Sequence, residues 1–332
     1  MSVCTCNHAT NFALLMDVYG QQRQASTDAT DDEVLSYISH IGCAISFVAL
    51  LITVLIYTMF SRLRRDEPSK ILYNMCWGLL AFNLCFLLGL AINDDTDAVW
   101  CKGLAASMHY SLLAAMFWMA VNAYHMHLSL IRVFNTYIDN FYLKCALAGW
   151  GSPFIFVAIT LAINKTDNYG LISSHLCWIK HPAIYYGLIA PVACIIFVNC
   201  IVFLKILRLI EKMSTTNSSA ISNFRATASL FILLGLTWIF AFCAFGKFRI
   251  VFNYLFAIFN SIQGLFIFTF YCMLKQEVVI SLKKLCNIKS DDSKAQKPKA
   301  GEISTMSTYQ EISRASTDQD SRQLEPKVVR KK

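Results

Sequence analysis

The sequence predicts an all-α protein: a seven-transmembrane helix bundle with its N-terminus outside and a short amphipathic cytoplasmic helix after the last span. Three observations lead there. Charge is scarce: 15% of the 332 residues are charged and 56% are hydrophobic, whereas a water-soluble domain carries about 25% charged residues. The charge is also segregated, falling between long apolar runs or at their ends. Such segments suit hydrocarbon, where an ionised side chain costs several kcal/mol. Finally, seven runs reach the roughly 20 apolar residues that a helix needs to cross a bilayer core of about 30 Å.

In chain order, residues 1–16 precede a polar, unpatterned stretch, 17–33, expected to be a flexible stalk. No signal peptide is visible after Met1, because Ser2-Val3-Cys4-Thr5-Cys6 offers neither a basic start nor an apolar stretch. Either the first run directs insertion, or Met1 stands within a longer protein. The runs are 34–60, 71–92, 104–131, 143–163, 183–209, 226–245 and 252–274, so the membrane domain is placed at 34–274. All must be helical, since lipid offers backbone groups no partners; Pro153 and Pro191 are tolerated where neighbouring helices cover the freed groups. The loops are short apart from 164–182. Residues 275–286 read as an amphipathic helix along the membrane, with Cys286 a palmitoylation candidate. The tail, 287–332, is polar, lacks an apolar period and is expected to be disordered.

Seven crossings put the termini on opposite sides, and the basic residues decide which is which. Segments on the C-terminal side hold 23 of the 29 Lys and Arg residues, which makes that side cytoplasmic by the positive-inside rule. The net charge of +8 is therefore a topology signal and gives no support for nucleic-acid binding. The sequon Asn164-Lys165-Thr166 falls in an outer loop, where Asn164 can be glycosylated; Asn217-Ser218-Ser219 falls inside and is expected to be idle. The 13 cysteines are scattered, and Cys43, Cys76 and Cys194 sit in apolar runs as small hydrophobes. Seven dispersed histidines, none paired with cysteine at ligand spacing, argue against a metal site. No phosphate loop or hydrolase triad is present, so neither enzyme activity nor a cofactor is expected.

Five stretches carry a resemblance. They are Cys4-Thr5-Cys6-Asn7-His8-Ala9-Thr10-Asn11-Phe12-Ala13-Leu14-Leu15-Met16; Cys101 with Cys177-Trp178; and Gly149-Trp150-Gly151-Ser152-Pro153, preceded by Val133-Phe134-Asn135-Thr136-Tyr137. The last two are Leu233-Leu234-Gly235-Leu236-Thr237-Trp238 and Asn253-Tyr254-Leu255-Phe256-Ala257-Ile258-Phe259-Asn260-Ser261-Ile262-Gln263-Gly264. In this order the chain resembles the adhesion class of G-protein-coupled receptors, nearest its G subgroup, from Cys4 to about Cys286. It departs at Ala9, where that class usually has leucine, at Leu72, where histidine is common, and at Asn122, where many carry glutamate.

The resemblance implies roles. His8 would act as base and Thr10 as nucleophile on the Ala9 carbonyl, turning the amide into an ester that water cleaves. With no strained domain before Cys4, the expectation here is an inactive relic, the alternative being ordinary loop residues. Thr10, Phe12, Leu15 and Met16 would form a tethered agonist. As a strand, Phe12, Leu14 and Met16 share a face; as a helical turn, Phe12, Leu15 and Met16 do. A membrane-surface apolar patch is the bland alternative. Each large anchor is worth roughly 1.5–3 kcal/mol when buried. The stalk spans about 20–25 Å, and tethering supplies effective concentrations near the mM range.

The resemblance further implies a Cys101–Cys177 disulfide, two free thiols being the alternative. It puts Trp178 over the bundle mouth, makes Trp238 and Phe242 the switch, and adds Phe256, Asn260 and Gln263 to the agonist pocket. Plain core packing is the competing reading for Trp238. Asn122, His125 and Ser129 share a face of the third run, and buried amides mark function or interhelical glue; glue alone suits Asn74, Asn83 and His127. Arg64, Arg65, Phe134, Arg208 and Arg225 would face the G protein, although snorkelling charge explains any one of the arginines. Expected partners are a heterotrimeric G protein, the chain's own N-terminal peptide, membrane lipid, and arrestin through a tail phosphorylated among Ser304, Thr305, Ser307, Thr308, Ser313, Ser316 and Thr317. The expected location is the plasma membrane. A non-signalling scaffold and a transporter or channel are the rivals.

Overall fold

The computed structural model describes residues 28–89, 98–131, 140–173, 176–213 and 249–285. Its helices are α1 (Asp28–Met59), α2 (Glu67–Gly89) and α3 (Ala98–Ile131). Next come α4 (Phe141–Ala162), interrupted by a π-helical turn at Leu147–Gly151, and α5 (Ala190–Met213), entered through a π-turn at Tyr185–Ile189. α6 (Arg249–Phe268) ends in a third π-turn, Thr269–Met273, and is followed by α7 (Gln276–Leu285). α1 begins inside the stretch expected as stalk, several residues before its apolar window, Tyr37–Met59. By contacts the chain divides into two units, Met1–Ser281 and Leu282–Lys332, and the bundle belongs to the first.

Among the described residues, α1 to α6 are long and apolar enough to cross a membrane. The outward side of α1 shows why. Tyr37, Ile41, Ile45, Val48, Ile52, Leu55 and Met59 are all exposed and recur every three or four residues, which is one helical face. Such a face suits lipid and would be costly in water. α3 is the central strut: 72% of its apolar window is buried, against 28% for α4.

Side-chain pairs fix the helix directions. The end of α1 meets the start of α2, where the Thr58 and Tyr73 hydroxyls lie 2.9 Å apart, and His40 near the start of α1 packs on Phe86 near the end of α2. α2 and α3 pass closely where Gly78 faces Ala115; a Cβ on Gly78 would lie 3.0 Å from the Ala115 nitrogen. α1 and α6 run parallel. Leu35 packs with Ala257, Gly42 with Ser261, the Gly264 N–H donates to Ser46 Oγ at 3.0 Å, and the Tyr57 hydroxyl donates to the Tyr271 carbonyl at 3.3 Å. α5 also starts at the end of the bundle where α1 and α3 start, because Gly187 lies against His109 and Thr160. Met213 and Arg249 therefore fall at opposite ends. The sixth run, 226–245, lies between them in the chain, outside the described residues.

One element departs from the all-α expectation. The long loop folds as an antiparallel hairpin of β1 (Tyr169–Ser173) and β2 (Leu176–Ile179), pairing Tyr169 with Ile179 and Leu171 with Cys177. Its residues Tyr169, Trp178 and Ile179 are each fully buried.

Candidate functional site

The site is built where the hairpin closes the bundle. Cys101, at the start of α3, is joined by a disulfide to Cys177 in β2, with 5.4 Å between their Cα atoms. That pins the loop to the central helix. Below it, His109 on α3 holds two partners: Nδ1 lies 2.8 Å from the Tyr169 hydroxyl and Nε2 3.0 Å from the Gly187 carbonyl. A carbonyl can only accept, so Nε2 carries the proton, and in the neutral ring Nδ1 accepts from Tyr169. Burial pushes the Tyr169 hydroxyl well above its ordinary pKa, so it stays protonated and able to donate. Asn168, next in the chain, donates from Nδ2 to the Thr160 and Ile163 carbonyls at 2.9 and 2.8 Å. The first carbonyl lies in the last turn of α4 and the second just past its end. Gly187 needs its missing side chain, since a Cβ there would sit 2.7 Å from Thr160 Oγ1. At the rim, Lys102 donates to Asp167 at 2.8 Å and holds that carboxyl below the usual carboxylate range.

Trp178, expected over the mouth, is fully buried in β2. Phe256 and Gln263 on α6 are buried, and Asn260 is half-buried. Gln263 Nε2 and Ser261 Oγ are buried without a hydrogen-bond partner among the described residues. Trp238, Phe242, His8, Thr10, Phe12, Leu15 and Met16 lie outside the described residues, so their arrangement is not part of this geometry. Asn164 falls in the short turn Ile163–Thr166, next to the rim.

The opposite end carries arginines expected to face a partner. Arg64, half-buried, stacks its guanidinium 5.0 Å from the centre of the Tyr73 ring, while Arg65 and Arg208 are exposed. Phe134 and Arg225 lie outside the described residues. Lys275 donates to Ser69 Oγ at 3.2 Å, tying the end of α6 to α2.

The Gly-Trp-Gly-Ser-Pro motif proves to be a three-helix clamp. Trp150 Nε1 donates to Asn74 Oδ1 at 3.0 Å, joining α4 to α2, and its ring meets Trp118 of α3 edge-on at 6.0 Å. Gly149 packs directly on the Trp118 ring. Asn74, read as glue, is therefore glue between α2 and α4, and it also donates to the Tyr142 hydroxyl at 3.1 Å. Sequence reasoning passed over His109, Tyr169, Asn168 and Trp118. A histidine in the middle of an apolar run was the available signal, because intramembrane ionisable groups mark function by default.

This architecture, a multi-pass bundle with a disulfide-pinned loop hairpin, is that of a membrane receptor. Residues 32–267 match the family described as "7 transmembrane receptor (Secretin family)", and the chain belongs to that family. It is 42% identical over 285 residues to Adhesion G-protein coupled receptor G4 of Mus musculus, an alignment covering 83% of this chain and 9% of that protein. It is 39% identical over 293 residues to Adhesion G-protein coupled receptor G2 of Mus musculus, covering 83% and 28%. It is 38% identical over 299 residues to Adhesion G-protein coupled receptor G6 of Danio rerio, covering 83% and 25%. The chain thus spans less than a third of each of these relatives, which are receptors and not enzymes by name.

Proposed function

We propose that this chain is the membrane-spanning part of an adhesion-type receptor that its own segment 12–16 activates and that signals to heterotrimeric G proteins. The hairpin end is extracellular and the Lys275 end cytoplasmic, as the basic-residue asymmetry, the sequon and the disulfide all favour. The plasma membrane is the matching location. The observation that carries the reading is the membership of the secretin-type receptor family together with the agonist-like segment ahead of α1. Gln263 Nε2 on α6, buried without a partner among the described residues, supports it. A buried amide donor without a partner costs free energy, and the backbone carbonyl of an inserted peptide would satisfy it.

The mechanism is a two-state equilibrium. The peptide binds the active bundle better than the inactive one, and only that difference drives the shift. Trp238 and Phe242 serve as the switch, and Arg64, Arg65, Phe134, Arg208 and Arg225 line the face offered to the G protein. The amphipathic α7 lies along the cytoplasmic leaflet, and the phosphorylated tail recruits arrestin. Asn164 carries an N-linked glycan, detectable as a gel shift on glycosidase treatment. The deciding experiment deletes residues 12–16 and measures basal G-protein activation in membranes. Activation should fall to the level of membranes without receptor; basal signalling that survives the deletion unchanged would overturn the tethered-agonist reading. Insensitivity to Trp238→Ala would remove the switch assignment alone.

A further inference from the structure

A π-turn widens the helical hydrogen bond from i+4 to i+5 and leaves a backbone carbonyl short of its usual partner. The described residues hold three such turns, and in each a carbonyl receives a donor from another helix. Tyr110 of α3 donates to the Trp150 carbonyl at 3.1 Å in the Leu147–Gly151 turn. Tyr57 of α1 donates to the Tyr271 carbonyl at 3.3 Å in the Thr269–Met273 turn. His109 of α3 donates to the Gly187 carbonyl at 3.0 Å in the Tyr185–Ile189 turn. His109 differs from the two tyrosines in what lies behind the donor. Its other ring nitrogen accepts from the hydroxyl of Tyr169, in the hairpin that the Cys101–Cys177 disulfide holds.

We propose that His109 is a positioning residue that couples the extracellular hairpin to the π-turn at the start of α5. The imidazole is a rigid ring, so its two hydrogen bonds share one orientation. Displacing Tyr169 rotates or releases the ring and weakens the bond to Gly187. The Gly187 carbonyl then loses the donor that stands in for an i+4 N–H, which Pro191 cannot supply. With that carbonyl left unsatisfied, the turn loosens. Gly187 has no side chain of its own, and Thr160 and His109 are the groups packed against it. A displacement of the hairpin is thereby passed to the start of the helix that runs to the opposite end. The part this plays in signalling rests on the function proposed above; the coupling itself does not, and its test reads backbone exchange.

The experiment measures amide hydrogen exchange in the full chain, in lipid nanodiscs, over Tyr185–Ala190, where the Ala190 N–H bonds the Tyr185 carbonyl across the π-turn. The Thr269–Met273 turn is the internal control. Tyr169→Phe should raise exchange over the α5 turn about fivefold, the effect of losing one ordinary hydrogen bond, and leave the control turn unchanged. His109→Ala should raise it at least as much, and adding Tyr169→Phe to it should have no further effect. His109→Leu fills a similar volume but can neither donate to Gly187 nor accept from Tyr169. It should therefore match His109→Ala and serves in its place if that variant does not fold. An α5 turn unmoved by Tyr169→Phe overturns the proposal. So does a Tyr169→Phe effect that persists at full size in either His109 background, which would place the coupling elsewhere.

Discussion

Gly149 and Gly151 stand two residues apart in one motif and face different surroundings. A methyl group on Gly149 would collide with the Trp118 ring, whereas one on Gly151 would meet open space. Gly149→Ala should therefore destabilise the bundle by roughly 1–3 kcal/mol through overpacking, and Gly151→Ala should be near neutral. Thermal midpoints of the two variants in the same detergent check this. At the rim, the Asp167 carboxyl is held below its ordinary range, first by the hydrogen bond from Lys102 and then by that residue's charge. A carboxylate whose folded pKa is depressed stabilises the fold above its unfolded pKa, roughly 4. That contribution fades as the pH falls through the lowered value. The side chain is solvent-exposed, so the effect is small. Asp167→Asn should melt slightly below the parent at neutral pH and level with it in strong acid.

At the scale of elements, the α1–α6 seam and the three π-turns show two ways in which the helices are joined. The seam works because glycine or a small residue stands at each crossing: Gly42 against Ser261, and Gly264 against Ser46. Close backbone approach of this kind replaces the hydrophobic drive that lipid removes. Tyr57→Phe deletes the donor to the Tyr271 carbonyl and should cost about 1 kcal/mol. Exchange should rise at Thr269–Met273 and not at Tyr185–Ile189, the converse of the Tyr169→Phe pattern. The helix spans were legible in the sequence because apolar length is a local property. Even so, α1 starts earlier than its apolar run, and the π-turns left no mark that a hydropathy pattern can carry. The hairpin escaped as well. Its strands are four and five residues long, and their burial depends on a disulfide and a histidine far away in sequence.

For the whole molecule, the link between hairpin and bundle is the disulfide, which closes a separation of 76 residues. Cys177→Ser should lower stability by about 2–4 kcal/mol, read as a fall in thermal midpoint that treatment of the parent with reductant reproduces. If neither change moves the midpoint, the bond does not hold the loop as described. The number and order of spans, the basic-residue asymmetry and the family were decided by the sequence alone. Each depends on residue type and spacing, which solvent transfer energies read directly. The tertiary structure alone decided which polar groups meet. His109, Tyr169 and Gly187 come from a helix, a strand and a π-turn. Nothing in the spacing of residues 109, 169 and 187 fixes their meeting, because a hydrogen bond depends on ångström-scale geometry that only the packed bundle supplies.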